Sequence, residues 1–281
     1  MNSPQRITAM CQLLGLNSNL PTDICFSFTG FRARGGETDK HADGWGIAFF
    51  EEGGVRVLHD PQPACSSRLA ALVADHPLHA TTIIAHIRKA TIGAIRLENT
   101  HPFSRELWGR QWVFAHNGTL LDFSPALEGR FRPAGTTDSE LAFCWLMEGL
   151  LRRFGDTPPE RLALFEWLQG AAVALTRFGV INFLLSDGDL LFAHSSTRLS
   201  HVTRQAPFGD VHLVDADLGV DLGRSLDPAT RTVIVATVPL TDNENWVAMP
   251  AGSLWCFQAG ELVAMAPTRA GKVPLATDDC V

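Results

Sequence analysis

The order of elements along this 281-residue chain constrains its fold more than any other feature: short β-type runs occupy both ends, with long helical patterns between them. Residues 11–16, 46–50, 55–58, 81–88 and 111–116 are apolar, β-branched or aromatic and bounded by turn residues, the pattern of strands. Residues 180–185 and 190–194 flank Ser186-Asp187-Gly188-Asp189, a hairpin-type turn, and strands at 232–238 and 253–257 follow, with 261–265 expected to pair back on the last. Helices are expected at 66–74, 138–154 and 159–178. The second of these opens on Thr137-Asp138-Ser139-Glu140, a capping box. Strands, then helices, then strands again predict an α+β fold of antiparallel sheets covered by helices rather than a run of βαβ units.

No Pro/Ser-rich linker, charge block or internal repeat divides the chain, so one domain is expected over 11–281. A net charge of −7 without a basic cluster argues against nucleic acid as a partner. Residues 1–6 lack the apolar core of a secretory signal, and no later run is long and charge-free enough to span a bilayer. The cysteines at 11, 25, 65, 144, 256 and 280 are scattered, without zinc-site or disulfide-framework spacing. A cytoplasmic location fits, where a free thiolate survives best.

Cys11 follows Met10 and opens the apolar run Cys11-Gln12-Leu13-Leu14-Gly15-Leu16. If synthesis starts at Met10, or residues 1–10 are removed, cysteine becomes residue one. Such a cysteine carries its own general base, since an α-amine of pKa about 7.7–8.0 can take the proton of a thiol of about 8.5. Taken alone, Cys11 also reads as an ordinary buried cysteine at a strand start. Four further segments place polar residues at the ends of apolar strands. His41-Ala42-Asp43-Gly44-Trp45-Gly46 reads as a tight backbone passage or a bulged turn. Arg88 ends an apolar strand, and its planar fork suits a carboxylate unless it snorkels to the surface. Asn117-Gly118 is a hairpin-turn signal, or an oxyanion hole made by the Asn117 amide and the Gly118 N–H. Asp138 caps a helix, or receives an ammonium group. An activated thiol, an oxyanion hole, an arginine and an aspartate together match an α-amino acid head with a cleavable carbonyl further along, which glutamine or another γ-glutamyl amide provides.

On Met10–Gly15, Asp43–Ile47, Ala85–Thr91, Asn99–Phe103, Ala115–Leu120 and Thr137–Glu140, taken in that order, the chain resembles the class II (N-terminal-cysteine) glutamine amidotransferases of the Ntn-hydrolase superfamily. Within them it is similar to the stand-alone group called YafJ-like or ergothioneine-pathway γ-glutamyl hydrolase-like. The second half matches more loosely, through residues 233–246. The resemblance implies a four-layer αββα sandwich with no metal and no organic cofactor. It makes Cys11 the nucleophile with its α-amine as base, Asn117 and Gly118 the oxyanion hole, Arg88 the site for the α-carboxylate and Asp138 for the α-amine, with Thr91 and His101 shaping the binding loop. Departures are Lys40-His41-Ala42, where synthase-linked members have an Arg-Gly pair before the aspartate loop, and Lys89, where an aromatic residue is common.

Three functions compete on the sequence. One is a glutaminase feeding ammonia to a separate synthase subunit, a second is a hydrolase of a γ-glutamyl conjugate, and the third is a non-catalytic binding protein if residues 1–10 are retained. A metal hydrolase is disfavoured, since the ten histidines show no H-E-x-x-H signature, and G-x-S-x-G, Walker and G-x-G-x-x-G motifs are missing.

Overall fold

The computed structural model of the protein describes residues 11–268. The expected extension at 1–10 and Cys280 lie outside the described residues. In chain order the elements are β1 (Gln12–Asp23), α1 (Cys25–Ala33), β2 (Trp45–Glu51), β3 (Gly54–Asp60), α2 (Arg68–Asp75), β4 (His79–Ile87), β5 (Phe103–Leu107) and β6 (Arg110–Leu120). Then come α3 (Asp138–Phe154), α4 (Arg161–Leu175), β7 (Gly179–Ser186), β8 (Leu190–Ser195), β9 (Ser200–Gln205), β10 (Asp210–His212), β11 (Gly219–Asp221) and α5 (Leu222–Ser225). The last are β12 (Arg231–Ala236), β13 (Val247–Ala248), β14 (Ser253–Gln258) and β15 (Glu261–Pro267).

Two antiparallel sheets result, one in the order β13-β9-β12-β1-β4-β2-β3 and the other β15-β14-β8-β7-β6-β5, while β10 and β11 form a separate ribbon. The sheets stack face to face. Leu13, Ala48, Ile84, Val113, Ala115, Leu184 and Val235 fill the layer between them. On the far side of the first sheet, Leu14, Leu16, Ile47, Ile83 and Ile87 pack on Phe28 and Phe31 of α1 and Ala70 and Val73 of α2. On the far side of the second, Phe114, Ile181, Phe183 and Leu185 pack on α3 and α4 through Phe143, Met147, Leu168 and Leu175. The layers are therefore α, β, β, α, the four-layer sandwich expected. Because both faces of each sheet are covered, central strands are apolar at consecutive positions instead of alternating. Gly15 marks the closest approach, since a Cβ there would sit 2.9 Å from Leu184 Cδ1.

The helix expected at 138–154 forms with those bounds, and those expected at 66–74 and 159–178 form in shorter versions as α2 and α4. The Thr137 hydroxyl accepts from Glu140 N at 3.2 Å, the first half of a capping box. Glu140 does not reach back; its carboxylate accepts from Ala134 N and Gly135 N and from Arg105. The hairpin-turn reading of Asn117-Gly118 is wrong: β6 runs through both residues, pairing with β7 from Val113↔Ser186 to Leu120↔Gly179. Helices α1 and α5 and strands β5, β9, β10, β11 and β13 have no counterpart among the sequence expectations.

Between β6 and α3, residues 121–136 form no helix or strand, yet α3 pins them. Buried Glu148 accepts from the N–H groups of Glu128 (2.5 Å), Gly129 (2.8 Å) and Phe131 (3.3 Å). Leaving a buried donor unsatisfied costs about 1–3 kcal/mol. Of the three donors only Phe131 is a buried residue, so Glu148→Ala should lose about 1–3 kcal/mol in urea unfolding, with Glu148→Gln in between; a loss below about 0.5 kcal/mol, the scale of a neutral surface change, would show that this loop is held by something else.

Candidate active site

The head of β1 supplies Cys11, and the segment leaving β4 closes around it. The Cys11 thiol donates to Lys89 O at 3.2 Å and its sulfur accepts from Lys89 N at 3.1 Å. That segment is held in turn by the loop before β2: Asp43 N donates to Arg88 O (3.2 Å), Arg88 N to Gly44 O (2.8 Å), and Ala90 N to Asp43 Oδ2 (2.8 Å). The Asp43–Gly46 motif is thus an extension of the β2–β4 ladder that fixes the backbone around the sulfur.

Asn117 comes from the opposite sheet. Its side chain points into the inter-sheet space, where Nδ2 donates to Cys11 O at 2.5 Å and to the Thr237 hydroxyl at 3.3 Å. Both hydrogens of the amide are therefore in use. Gly118 has φ +156°, and a Cβ there would overlap the Val180 carbonyl oxygen, so only glycine lets β6 stay paired at this point. Asn182, opposite Asn117 in the ladder, donates to Asn117 O at 3.1 Å and fastens Thr197 and Arg198 through their N–H groups.

Arg88 is buried, and its guanidinium donates to Ala94 O, Ile92 O and Gly93 O, each at 3.0 Å. Three of five N–H groups hold the loop that follows, leaving two. Asn99 clamps the same loop, donating to Ala94 O and accepting from Thr136 N. Thr91 meets Thr119 across 3.1 Å at the exposed rim. Asp138 Oδ2 accepts from Leu120 N at 2.7 Å, which ties the start of α3 to the end of β6. His101 lies deeper than the other expected binding residues. It is buried, with its ring tilted against those of His86 and Phe103 at centroid distances of 4.2 Å and 4.5 Å.

Burial dominates the electrostatics. It pushes the Cys11 thiol up to about 11, against the Lys89 N–H and the Arg88 charge, which pull it down. A thiol raised this far holds its proton at neutral pH. Burial also holds His86, His101 and His116 below the ordinary histidine value; neighbouring charges including Arg88 add to this for the first two, while Asp138 opposes it for His116. His116 Nε2 faces the Val180 carbonyl at 3.0 Å and so carries the proton, leaving Nδ1 to accept from the Ser139 hydroxyl at 2.9 Å. Among the described residues no three His, Cys, Asp or Glu side chains converge as a metal site.

The structure thus brings Cys11, Asn117, Arg88, Asp138, Thr91 and Gly118 to one end of the stacked sheets. Two members went unnoticed in the sequence. Thr237 and Asn182 lie in or beside apolar strands of the second half, where a lone polar residue has no motif to mark it.

Two stacked antiparallel sheets between helical layers form the αββα sandwich of the Ntn-hydrolase fold, with Cys11 heading a central strand of one sheet and Asn117-Gly118 on β6 of the other. The chain belongs to the class II glutamine amidotransferases: that family's model matches residues 10–278, and the protein is an enzyme of that family. Escherichia coli K12 YafJ, whose name describes a glutamine amidotransferase, is 48% identical over 254 residues, 90% of this chain and 100% of that protein. A crystal structure from Pseudomonas aeruginosa, titled as a glutamine amidotransferase, superposes with a TM-score of 0.73 at 42% identity, covering 90% of this chain and 100% of that one. The γ-glutamyl-hercynylcysteine sulfoxide hydrolase of Mycobacterium tuberculosis is 31% identical over 122 residues, 42% of this chain and 48% of its own length. The glutamine phosphoribosylpyrophosphate amidotransferase of Bacillus subtilis shares the fold, at a TM-score of 0.58 and 13% identity over 93% of this chain and 50% of that one. Among the described residues no helix is long and apolar enough to cross a membrane.

The buried histidines set a pH dependence. Their folded pKa values lie below the unfolded value of about 6.5, so below that pH the unfolded chain binds protons that the folded chain refuses. Their contribution is fully present above about 6.5 and is lost as pH falls towards the folded values. Urea midpoints should be flat from pH 7 to 8 and fall from 6.5 to 5, and His86→Phe should flatten that fall; a wild-type midpoint unchanged down to pH 5 would contradict this.

Proposed function

We propose that the protein hydrolyses glutamine or another γ-glutamyl amide, with Cys11 as the nucleophile, releasing glutamate and ammonia or an amine. The observation that carries this reading is the clasp at Cys11: its sulfur lies between the N–H and O of Lys89 while Asn117, from the facing sheet, grips its carbonyl. The thiol transfers its proton to the Cys11 α-amine, freed by removal of residues 1–10, and the sulfur attacks the γ-carbonyl. The Asn117 N–H on the long 3.3 Å contact to Thr237 is the one available to turn to the developing oxyanion, joined by the Gly118 N–H. The leaving amine takes a proton from the Cys11 ammonium, and water then releases glutamate from the thioester. The two remaining N–H groups of Arg88 bind the α-carboxylate, Asp138 binds the α-amine, and Thr91 and His101 shape the loop around them.

Of the two leaving groups, a γ-glutamyl conjugate is favoured by the γ-glutamyl hydrolase named among the relatives. Delivery of ammonia to a separate synthase subunit is the second reading. A chain that keeps residues 1–10 would have no free amine at Cys11 and would be a binding protein instead. We place the enzyme in the cytoplasm, as one domain over 11–281, working without metal or organic cofactor.

A panel of γ-glutamyl amides assayed beside glutamine separates these readings; a conjugate hydrolase should prefer a substituted amide by at least tenfold, and a glutaminase should prefer glutamine. Asn117→Ala should lower kcat by about 10²–10³, the usual effect of one oxyanion donor, and near-normal turnover would contradict its role. Cys11→Ser and Cys11→Ala should abolish labelling by a glutamine-like electrophile, and labelling that persisted would remove Cys11 as the nucleophile.

A further inference from the structure

Thr237 lies one residue beyond the end of β12, and its side chain continues the ladder where the backbone stops. Thr237 N donates to Leu13 O at 3.1 Å, and Leu13 N donates back at 2.9 Å to the Thr237 hydroxyl, which occupies the place a main-chain carbonyl would take. The same hydroxyl accepts the second Asn117 N–H at 3.3 Å. Thr237 is 1% exposed, and Val233 and Val235 on the same strand face fill the layer between the sheets. One oxygen therefore joins the strand that carries the cysteine to the amide that grips the Cys11 carbonyl, using both of its lone pairs.

We infer that Thr237 is a positioning residue for the reaction, acting through Asn117; the inference rests on the function proposed above. Before the substrate carbonyl becomes an oxyanion, the Thr237 hydroxyl holds the Asn117 N–H that will serve it, in a buried space where that hydrogen would otherwise have no acceptor. The contact is long, so it is the weaker of the two Asn117 bonds and the one that yields when negative charge appears. The Leu13 bond keeps the hydroxyl in place while this happens. Thr237 touches no reacting atom, and its effect belongs to the step in which the oxyanion forms, not to substrate binding.

The test measures kcat and KM for T237V, T237A and T237S, alone and combined with N117A, on the best γ-glutamyl substrate, with thermal melts for each protein. T237V keeps the shape, and T237A removes the hydroxyl without adding bulk, so misfolding of one leaves the other decisive. Expected are a kcat about fivefold lower in both, the size of one lost hydrogen bond, with KM within twofold, and T237S within twofold of wild type. Added to N117A, T237V should lower kcat by less than twofold further, because its effect runs through the amide already removed. Wild-type kcat in both T237V and T237A, a loss confined to KM, or effects that multiply in the double variant would overturn the inference. Labelling by 6-diazo-5-oxo-norleucine separates the two levels. A wild-type protein that is neither labelled at Cys11 nor releases glutamate fails the proposed function, and the role of Thr237 falls with it. A wild-type protein that does both while the Thr237 variants match it fails this inference alone.

Discussion

The contact on which the site depends is the one that crosses between the sheets, from the Asn117 amide to the Cys11 carbonyl at 2.5 Å. It does not hold the sheets together. One hydrogen bond contributes about 1 kcal/mol net, whereas each fully buried leucine, isoleucine or phenylalanine contributes about 1.5–3 kcal/mol. The adhesive work is done by the inter-sheet residues such as Leu13, Ile84, Val113 and Leu184. What the contact depends on is register, which the apolar pattern of the strands sets. β1 and β6 belong to different sheets, and a shift of one residue in either would turn Cys11 or Asn117 to the opposite face. Gly15 permits the close stacking, and Gly118 permits β6 to remain paired at the site.

Around that contact, polar groups are fixed by the backbone more than by one another. Lys89 supplies both its N–H and its carbonyl to the sulfur, Asp43 holds the segment that carries Lys89, and Arg88 spends three donors on the loop at 92–94. The Arg88 arrangement orders the rim beside the cysteine before any ligand arrives, so less conformational freedom remains to be lost on binding. Glu140 and Glu148 do the same for the residues leading into α3, and through them for Asp138. The thiol and the histidines lie in surroundings that disfavour charge, so the reaction proposed for Cys11 calls for an adjacent base.

Much of this was legible in the sequence because the chemistry is clustered in motifs. Cys11, Asp43–Gly46, Arg88, Asn117-Gly118 and Asp138 each end or interrupt an apolar run, and their order identified the family. The layered architecture followed from the placing of helical and strand-like runs. Helix α1 was hidden because Phe26, Phe28, Phe31 and a central Gly30 make a poor helical signal; Gly30 serves packing, since a Cβ there would lie 2.9 Å from Leu213 Cδ2. Strand β9 was hidden by its polar alternation, Ser-His-Val-Thr-Arg-Gln, on the flank of its sheet. Thr237 could not be recognised for a different reason: its role comes from meeting Leu13, 224 positions away, and Asn117, 120 positions away, and no local pattern encodes such meetings.

The central claim is that Cys11 reacts as an N-terminal residue whose own amine is its base. The most direct measurement is mass spectrometry of the protein from its native source after exposure to a glutamine-like electrophile, with mapping of the first peptide. The account predicts a chain beginning at Cys11, with a free α-amine and a single adduct on its sulfur. A first peptide that retains residues 1–10, or an adduct on any other cysteine, would contradict it.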